Sequence, residues 1–454
     1  MADVTKINGY IIKDANAPHP SNAGSAGQVL KKTETGTEWA DASFKPEGKS
    51  YLTFSSPNSF TLAVEDATKH WNGTLEYFAS NRTWTTWDGT TTLSSVDNDG
   101  EYVLYLRGTG NTVITGNNQN YRWILTGSNI TCIGNIENLL DYATVESGAH
   151  PTMADYCYYY MFYGCTSLIQ APVLPTTTLA NYCYAYMFYD CTSLTQAPAL
   201  PATTLASSCY LSMFKGCTSL TQAPALPATT LASWCYSGMF QGCASLTQAP
   251  ALPVTTLANY CYQNMFDGCA SLTQAPALPA TTLKNYCYQY MFSSCTSLTQ
   301  APALPATTLA DGCYIEMFKG CASLTKAPAL PATTLTSWCY HSMFDGCTSL
   351  KLSSTQTGEY TQEYRIPASG TGTTATSALA SMFASTGGTF TGTPEINTTY
   401  YLSSDNMIVR ETEIATLNGY VGSMIDGKAP TAITNAKIDE ICGTTILNAE
   451  DVVL

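Results

Sequence analysis

The sequence predicts a multidomain chain: a β-rich N-terminal region forming a β-sandwich, an α/β solenoid of eight 26-residue coils, and a small α+β C-terminal domain. Three observations predict it. Met161, Met187, Met213, Met239, Met265, Met291, Met317 and Met343 recur at a constant step, and two cysteine columns, Cys157 to Cys339 and Cys165 to Cys347, keep the same step. Self-similarity at this period marks a solenoid, whose units bury their apolar sides only by stacking. Ahead of it, from Phe44 to about Gly127, patches such as TLEYFA and EYVLYLRG alternate between turns such as WDGT and DNDG, the pattern of short antiparallel strands. After Leu350 the period stops.

The elements follow in order. Residues 1–45 form a terminal segment and 46–128 the β-sandwich. Residues 129–154, with TCIGNIENLLDY, supply a helical cap for the first exposed coil, and 155–352 form the solenoid. Within one coil, Thr204 is a helix N-cap, and Leu205, Cys209, Met213 and Cys217 follow at intervals of four, as on one face of a short helix that Gly216 stops. CTSLTQAPALP then turns and extends, with Pro224 and Pro227 limiting ladder hydrogen bonding. At roughly 4.8 Å per strand layer, eight coils make a rod of about 38 Å. Residues 353–405, where TSALASMFASTGGTF keeps the Met-Phe pair, form the C-terminal cap. Residues 406–454 form the last domain, with Thr434 or Asn435 as N-cap, a helix through Ile441, and Gly443 as its stop.

Two resemblances are carried by these residues. MFKGCTSLTQAPALPATTLASWCY resembles the BspA-like leucine-rich repeat, whose units read approximately A-F-x-x-C-x-x-L-x-x-I-x-I-P before a helical return. The match lies in F-x-G-C-T-S-L; the unit here is longer, and QAPALP replaces β-branched strand residues. VTKINGYIIKDA and GSAGQVLKKTETGTEWADAS resemble the N-terminal attachment segments of bacteriophage head and tail fibres. That resemblance implies attachment to capsid or tail proteins through Ile7, Tyr10, Ile12, Val29, Leu30 and Trp39, and a homotrimer that projects outward.

Charge and composition exclude several functions. A net charge of −14 and the lack of a Lys/Arg cluster argue against nucleic acid. The polar start has no apolar run of secretory length, and no later stretch has the length of a membrane span, so the chain is expected to be made in a cytosol without membrane insertion. In that reducing compartment the sixteen repeat cysteines, of 18 in the chain, are expected to be buried free thiols rather than disulfides. C-x-x-C spacing and histidine companions are missing from the repeat, so no metal or cofactor is expected. The four histidines, His19, His70, His150 and His341, sit in no triad neighbourhood, and Asp190, Asp267, Asp311, Glu316 and Asp345 are scattered rather than paired. The chain is not expected to be an enzyme.

The copies differ from one another in a few columns. One reads Tyr156, Tyr182, Ser208, Trp234, Tyr260, Tyr286, Gly312, Trp338; another reads Tyr160, Tyr186, Ser212, Gly238, Asn264, Tyr290, Glu316, Ser342. Tyr, Trp, Ser, Gly and Asn are what adaptable binding surfaces use. The aromatic members, Tyr156, Tyr182, Trp234, Tyr260, Tyr286 and Trp338 with Tyr160, Tyr186 and Tyr290, are candidate contacts for a host-surface polysaccharide or protein; the alternative is that they only cover the coil junctions. Tyr77, Trp84, Trp87, Tyr102, Tyr105 and Trp123 of the β region are expected to serve mainly as core and cross-strand pairs. With the two resemblances, these columns imply a structural protein of the virion surface, a bacteriophage head or tail fibre. The alternative is a bacterial cell-surface leucine-rich-repeat adhesin.

Overall fold

The computed structural model describes residues 5–7, 10–12, 28–33, 36–41, 44–47 and 51–409. The strands run β1 (Thr5–Ile7), β2 (Tyr10–Ile12), β3 (Gln28–Thr33), β4 (Gly36–Asp41), β5 (Leu52–Ser56), β6 (Thr61–Val64), β7 (Thr74–Phe78), β8 (Trp84–Trp87), β9 (Leu93–Ser94), β10 (Val96–Asn98) and β11 (Glu101–Thr109). Then come β12 (Trp123–Thr126), β13 (Ile130–Ile133), helix α1 (Asn138–Glu146), β14 (Leu168–Gln170), β15 (Lys326–Pro328), β16 (Leu352–Ser353), β17 (Tyr360–Arg365), β18 (Thr399–Ser403) and β19 (Met407–Val409). The described chain is therefore β-rich with very little helix. The C-terminal helix expected before Gly443 lies outside the described residues.

The N-terminal region holds two open sheets. One has the order β14-β13-β5-β11-β7-β8 with β10 on β11; the other is β12-β6-β9. Alternation along the strands sends Leu52, Phe54, Leu75, Leu104 and Leu106 from the first sheet, and Leu62, Val64, Leu93, Trp123 and Leu125 from the second, into one apolar cluster. That cluster continues without a break through the repeat to Leu402. The continuity has a backbone cause, because β13 pairs in parallel with β14 of the first repeat unit. The amides of Ile114, Trp123 and Ile130 also donate to the carbonyls of Cys157, Met161 and Ser167 at 2.8–2.9 Å.

The repeat does not contain the expected helix. In the fourth unit the amides of Trp234, Tyr236, Gly238, Phe240 and Gly242 donate to Asn259, Cys261, Gln263, Met265 and Asp267 of the next unit at 2.7–3.2 Å. The amides between them, Ser237, Met239, Gln241 and Cys243, donate three residues back within their own unit. The backbone is thus a train of overlapping turns whose alternate N–H groups bridge neighbouring units. Every fourth residue is left-handed: Trp234, Gly238 and Gly242 have φ of 61°, 60° and 74°. This explains the strict four-residue step of Cys235, Met239 and Cys243, since an α-helix repeats every 3.6 residues and would rotate such a row off its face. The prolines of QAPALP have the expected effect on pairing. Apart from β14 and β15, the extended side of the units is joined by single parallel bridges such as Gln222↔Gln248 and Gln248↔Gln274.

Each turn train points Cys, Tyr, Met, Phe and Cys inward, all buried. The tyrosines from Tyr158 to Tyr340 stack with ring centroids 5.5–6.0 Å apart. The phenylalanines from Phe162 to Phe344 stack at 5.6–5.8 Å and end on Phe383 at 5.4 Å. That last contact reveals a further layer. Amides of Trp338, Tyr340, Ser342, Phe344 and Gly346 donate to Thr376, Ala378, Ala380, Met382 and Ala384, and Ser377, Ser381 and Ser385 repeat the left-handed positions. β16 and β17, from the chain between these two layers, join β18, which follows the further layer, in the sheet β16-β18-β17.

The second cysteine column has a specific job. Sγ of Cys191, Cys217, Cys243, Cys269, Cys295, Cys321 and Cys347 donates to the phenylalanine carbonyl of the preceding unit at 3.0–3.1 Å. Each such carbonyl also accepts a backbone amide three residues on, as Phe214 does from Cys217, so the thiol occupies its second acceptor position. A small side chain with a weak donor suits a narrow, repeated, buried site.

Candidate binding face on the repeat

The two variable columns are the left-handed positions of the turn train. Tyr156, Tyr182, Ser208, Trp234, Tyr260, Tyr286, Gly312 and Trp338 all have φ between 54° and 61°. Those of the second column, Tyr160, Tyr186, Ser212, Gly238, Asn264, Tyr290, Glu316 and Ser342, lie between 48° and 60°. A third left-handed column, Gly164 through Gly346, is glycine except at Asp190 and Ser294. A bulky residue in this conformation costs on the order of 1–2 kcal/mol relative to glycine, so the aromatic residues stand where the backbone least favours them.

The expected stripe along the first column is three separate ladders. Tyr156 and Tyr182 stack at 4.7 Å. Trp234, Tyr260 and Tyr286 stack at 4.0 and 5.0 Å. Trp338 stands alone and is 41% exposed. Ser208 and Gly312 make the breaks, and the Tyr286 ring lies over Gly312 where a Cβ would be. In the second column Tyr160 and Tyr186 stack at 4.4 Å, while the hydroxyl of Tyr290 donates to Glu316 at 3.4 Å. Apart from Trp338 these rings are half-buried, so they both shield the turns beneath them and present edges to solvent.

The first unit shows how the columns lie across the face. Tyr156 meets Tyr159 at 5.3 Å, Tyr159 meets Tyr160 at 4.6 Å, and Tyr160 meets Tyr163 at 5.3 Å, all edge to face. Tyr189 continues the patch against Tyr163 at 4.9 Å, with Arg122 over Tyr163 and Lys215 over Tyr189. Burial pushes the Tyr186 hydroxyl up to about 12 and raises Tyr159 and Tyr160 as well. Tyr159, Tyr163 and Tyr189 were not among the sequence candidates, although the tyrosine density of YCYYYMFYG was a visible signal. Further along, the same columns carry amides: Ser237 bonds Gln263, Gln263 Nε2 donates to Gln289 Oε1 at 2.5 Å, and Gln241 donates to Asp267 at 2.8 Å.

The other sequence candidates lie elsewhere. Ile7, Tyr10 and Ile12 belong to the hairpin β1-β2, where Ile7 pairs with Tyr10, and Val29, Leu30 and Trp39 to the hairpin β3-β4, where Leu30 pairs with Trp39. In the β region Trp87, Trp123 and Tyr105 are buried, and Tyr77, Trp84 and Tyr102 are half-buried against the apolar clusters. His70 Nε2 meets both Asp66, at 2.8 Å, and Thr68, at 2.8 Å, through one nitrogen, and His150 Nδ1 meets the buried carboxylate of Glu137 at 2.8 Å. Among the described residues no group of three His, Cys, Asp or Glu is placed to hold a metal ion, and no helix is long and apolar enough to cross a membrane. The described cysteines are buried and unpaired.

Comparison with known proteins places the repeat in a class. Residues 141–272 and 212–351 match the model of the BspA type leucine rich repeat region, in six copies. This part of the chain, somewhat less than half of it, is therefore a BspA-type leucine-rich repeat. No curated protein and no solved structure shows significant similarity to the chain.

Proposed function

We propose that the repeat is a solenoid of eight coils acting without catalysis or cofactor as an adhesin-like binding rod. Its left-handed columns form the contact surface for a polysaccharide or protein of a bacterial envelope. The observation that carries this reading is where the copies differ. The inward Cys-Tyr-Met-Phe-Cys pattern is held in all eight copies, whereas the left-handed columns run through Tyr, Trp, Ser, Asn and Glu. Packing alone favours glycine there, so the aromatic choice is supported better by recognition than by folding.

In the finer reading the chain is a bacteriophage head or tail fibre. It is attached to capsid or tail through the N-terminal hairpins, assembled as a homotrimer on the virion surface, and makes no contact with nucleic acid and no membrane insertion. Its support is the sequence of the N-terminal segment. The experiment is density-gradient purification of phage particles from lysate, followed by mass spectrometry and antibody labelling. The chain is expected to travel with particles and label capsid or tail; recovery from intact cells and not from particles overturns the virion role. The second reading, a bacterial cell-surface adhesin, is favoured by the family match and predicts that outcome.

A further inference from the structure

We infer that Trp234 and Trp338 are two sugar-stacking subsites for one neutral linear polysaccharide. This rests on the proposed binding face and names its ligand and anchors. Rings inside a ladder have both faces occupied, as Tyr260 has between Trp234 and Tyr286, and offer a ligand only their edges. Trp234 begins its ladder. Among the described residues its stacking partner is Tyr260, and the preceding unit has at that place Ser208, a buried serine that brings no ring. Trp338 follows Gly312, has no ring partner among the described residues and is the most exposed aromatic of its column. The two tryptophans therefore share a local arrangement: each follows a unit whose left-handed residue, Ser208 or Gly312, brings no ring to stack on the indole.

Hydrogen-bonding groups flank both platforms in the column order set by the tyrosines of the first unit. Beside Trp234 in that order lies Ser237, whose hydroxyl donates to Gln263 at 3.4 Å. Beside Trp338 in that order lies His341, whose backbone amide donates to the Trp338 carbonyl at 3.2 Å. An aromatic face with no ring stacked on it and hydroxyl, amide or imidazole groups beside it matches a pyranose, whose C–H face is apolar and whose edge is hydroxylated. The net charge of −14 disfavours an anionic polymer. The platforms are four units apart, about 19 Å at the strand-layer spacing, so a polymer longer than a few sugars reaches both and a monosaccharide does not.

The test uses the full chain and bacterial envelopes that it sediments with, compared before and after periodate oxidation and before and after protease. The variants are Trp234→Gly, Trp338→Gly and both together, since glycine at 312 is the native choice at the same backbone position. Thermal melts confirm that each variant is folded. The expected result is about tenfold weaker binding for either single change and about a hundredfold for the pair, with binding abolished by periodate and kept after protease. Envelopes that still bind the double variant as well as the parent, or that lose binding to protease and not to periodate, overturn the sugar subsites and leave the binding face standing. A parent chain that sediments with no envelope overturns both.

Discussion

Raising the pH past 9 is expected to unfold the repeat cooperatively within about one pH unit. Burial pushes the thiols of Cys165, Cys261, Cys321 and Cys339 up to about 12, and raises the other buried thiols of the repeat in the same direction. In the unfolded chain the same groups ionise near 8.5. Because the folded value is the higher one, the protonated thiols contribute their full stability below about pH 8.5 and lose it as the pH climbs toward the folded values. One thiol contributes about 1.4 kcal/mol per pH unit, and the 16 buried thiols of the repeat together about 20 kcal/mol. That exceeds the roughly 5–15 kcal/mol by which a domain is folded. The measurement is far-ultraviolet circular dichroism at equilibrium in reductant from pH 7 to 11; a spectrum unchanged at pH 11 contradicts the prediction.

Phe266→Ala is expected to cost about 3–5 kcal/mol. Phe266 is fully buried between Phe240 at 5.8 Å and Phe292 at 5.7 Å, so its removal opens a void between two rings held in place by their own units. The substitution leaves the carbonyl that accepts Cys295 Sγ at 3.1 Å, so the loss reports packing alone. Cys295→Ala, which removes that bond and little volume, is expected to cost about 1 kcal/mol. Thermal melts separate the two, with a drop of about 10 °C for the first and a few degrees for the second.

The repeat itself was legible because its period is written in Met161 to Met343 and in two cysteine columns. The path of the chain within one unit was misread. Leu205, Cys209, Met213 and Cys217 look helical if spacing by four is taken as helical spacing, yet four such steps without drift fit a four-residue turn period better than a 3.6-residue helix. The glycines of the third left-handed column, at 164, 216, 242, 268, 320 and 346, carried the remaining information. Glycine every unit at one place reads as a helix stop, but it equally marks a positive φ, and the first two columns hide the same conformation behind tyrosine and tryptophan. The further layer at Ser377–Ser385 was obscured because alanine and leucine replace the first cysteine and its tyrosine there, leaving Met382-Phe383 as the trace. The division of the aromatic column into ladders was visible in principle, since Ser208 and Gly312 interrupt the rings in the sequence.

In the proposed function the framework holds the fold while the left-handed columns hold the recognition, so residues in those columns can be exchanged between units. The most direct measurement permutes them at constant composition: Tyr182→Ser and Tyr186→Ser together with Ser208→Tyr and Ser212→Tyr, read by thermal melt and by sedimentation with bacterial envelopes. A melting temperature within about 4 °C of the parent, with envelope binding changed tenfold or more, is the predicted result. A permuted chain that loses its cooperative melt, or one that folds and binds envelopes as the parent does, contradicts the separation of framework from binding face.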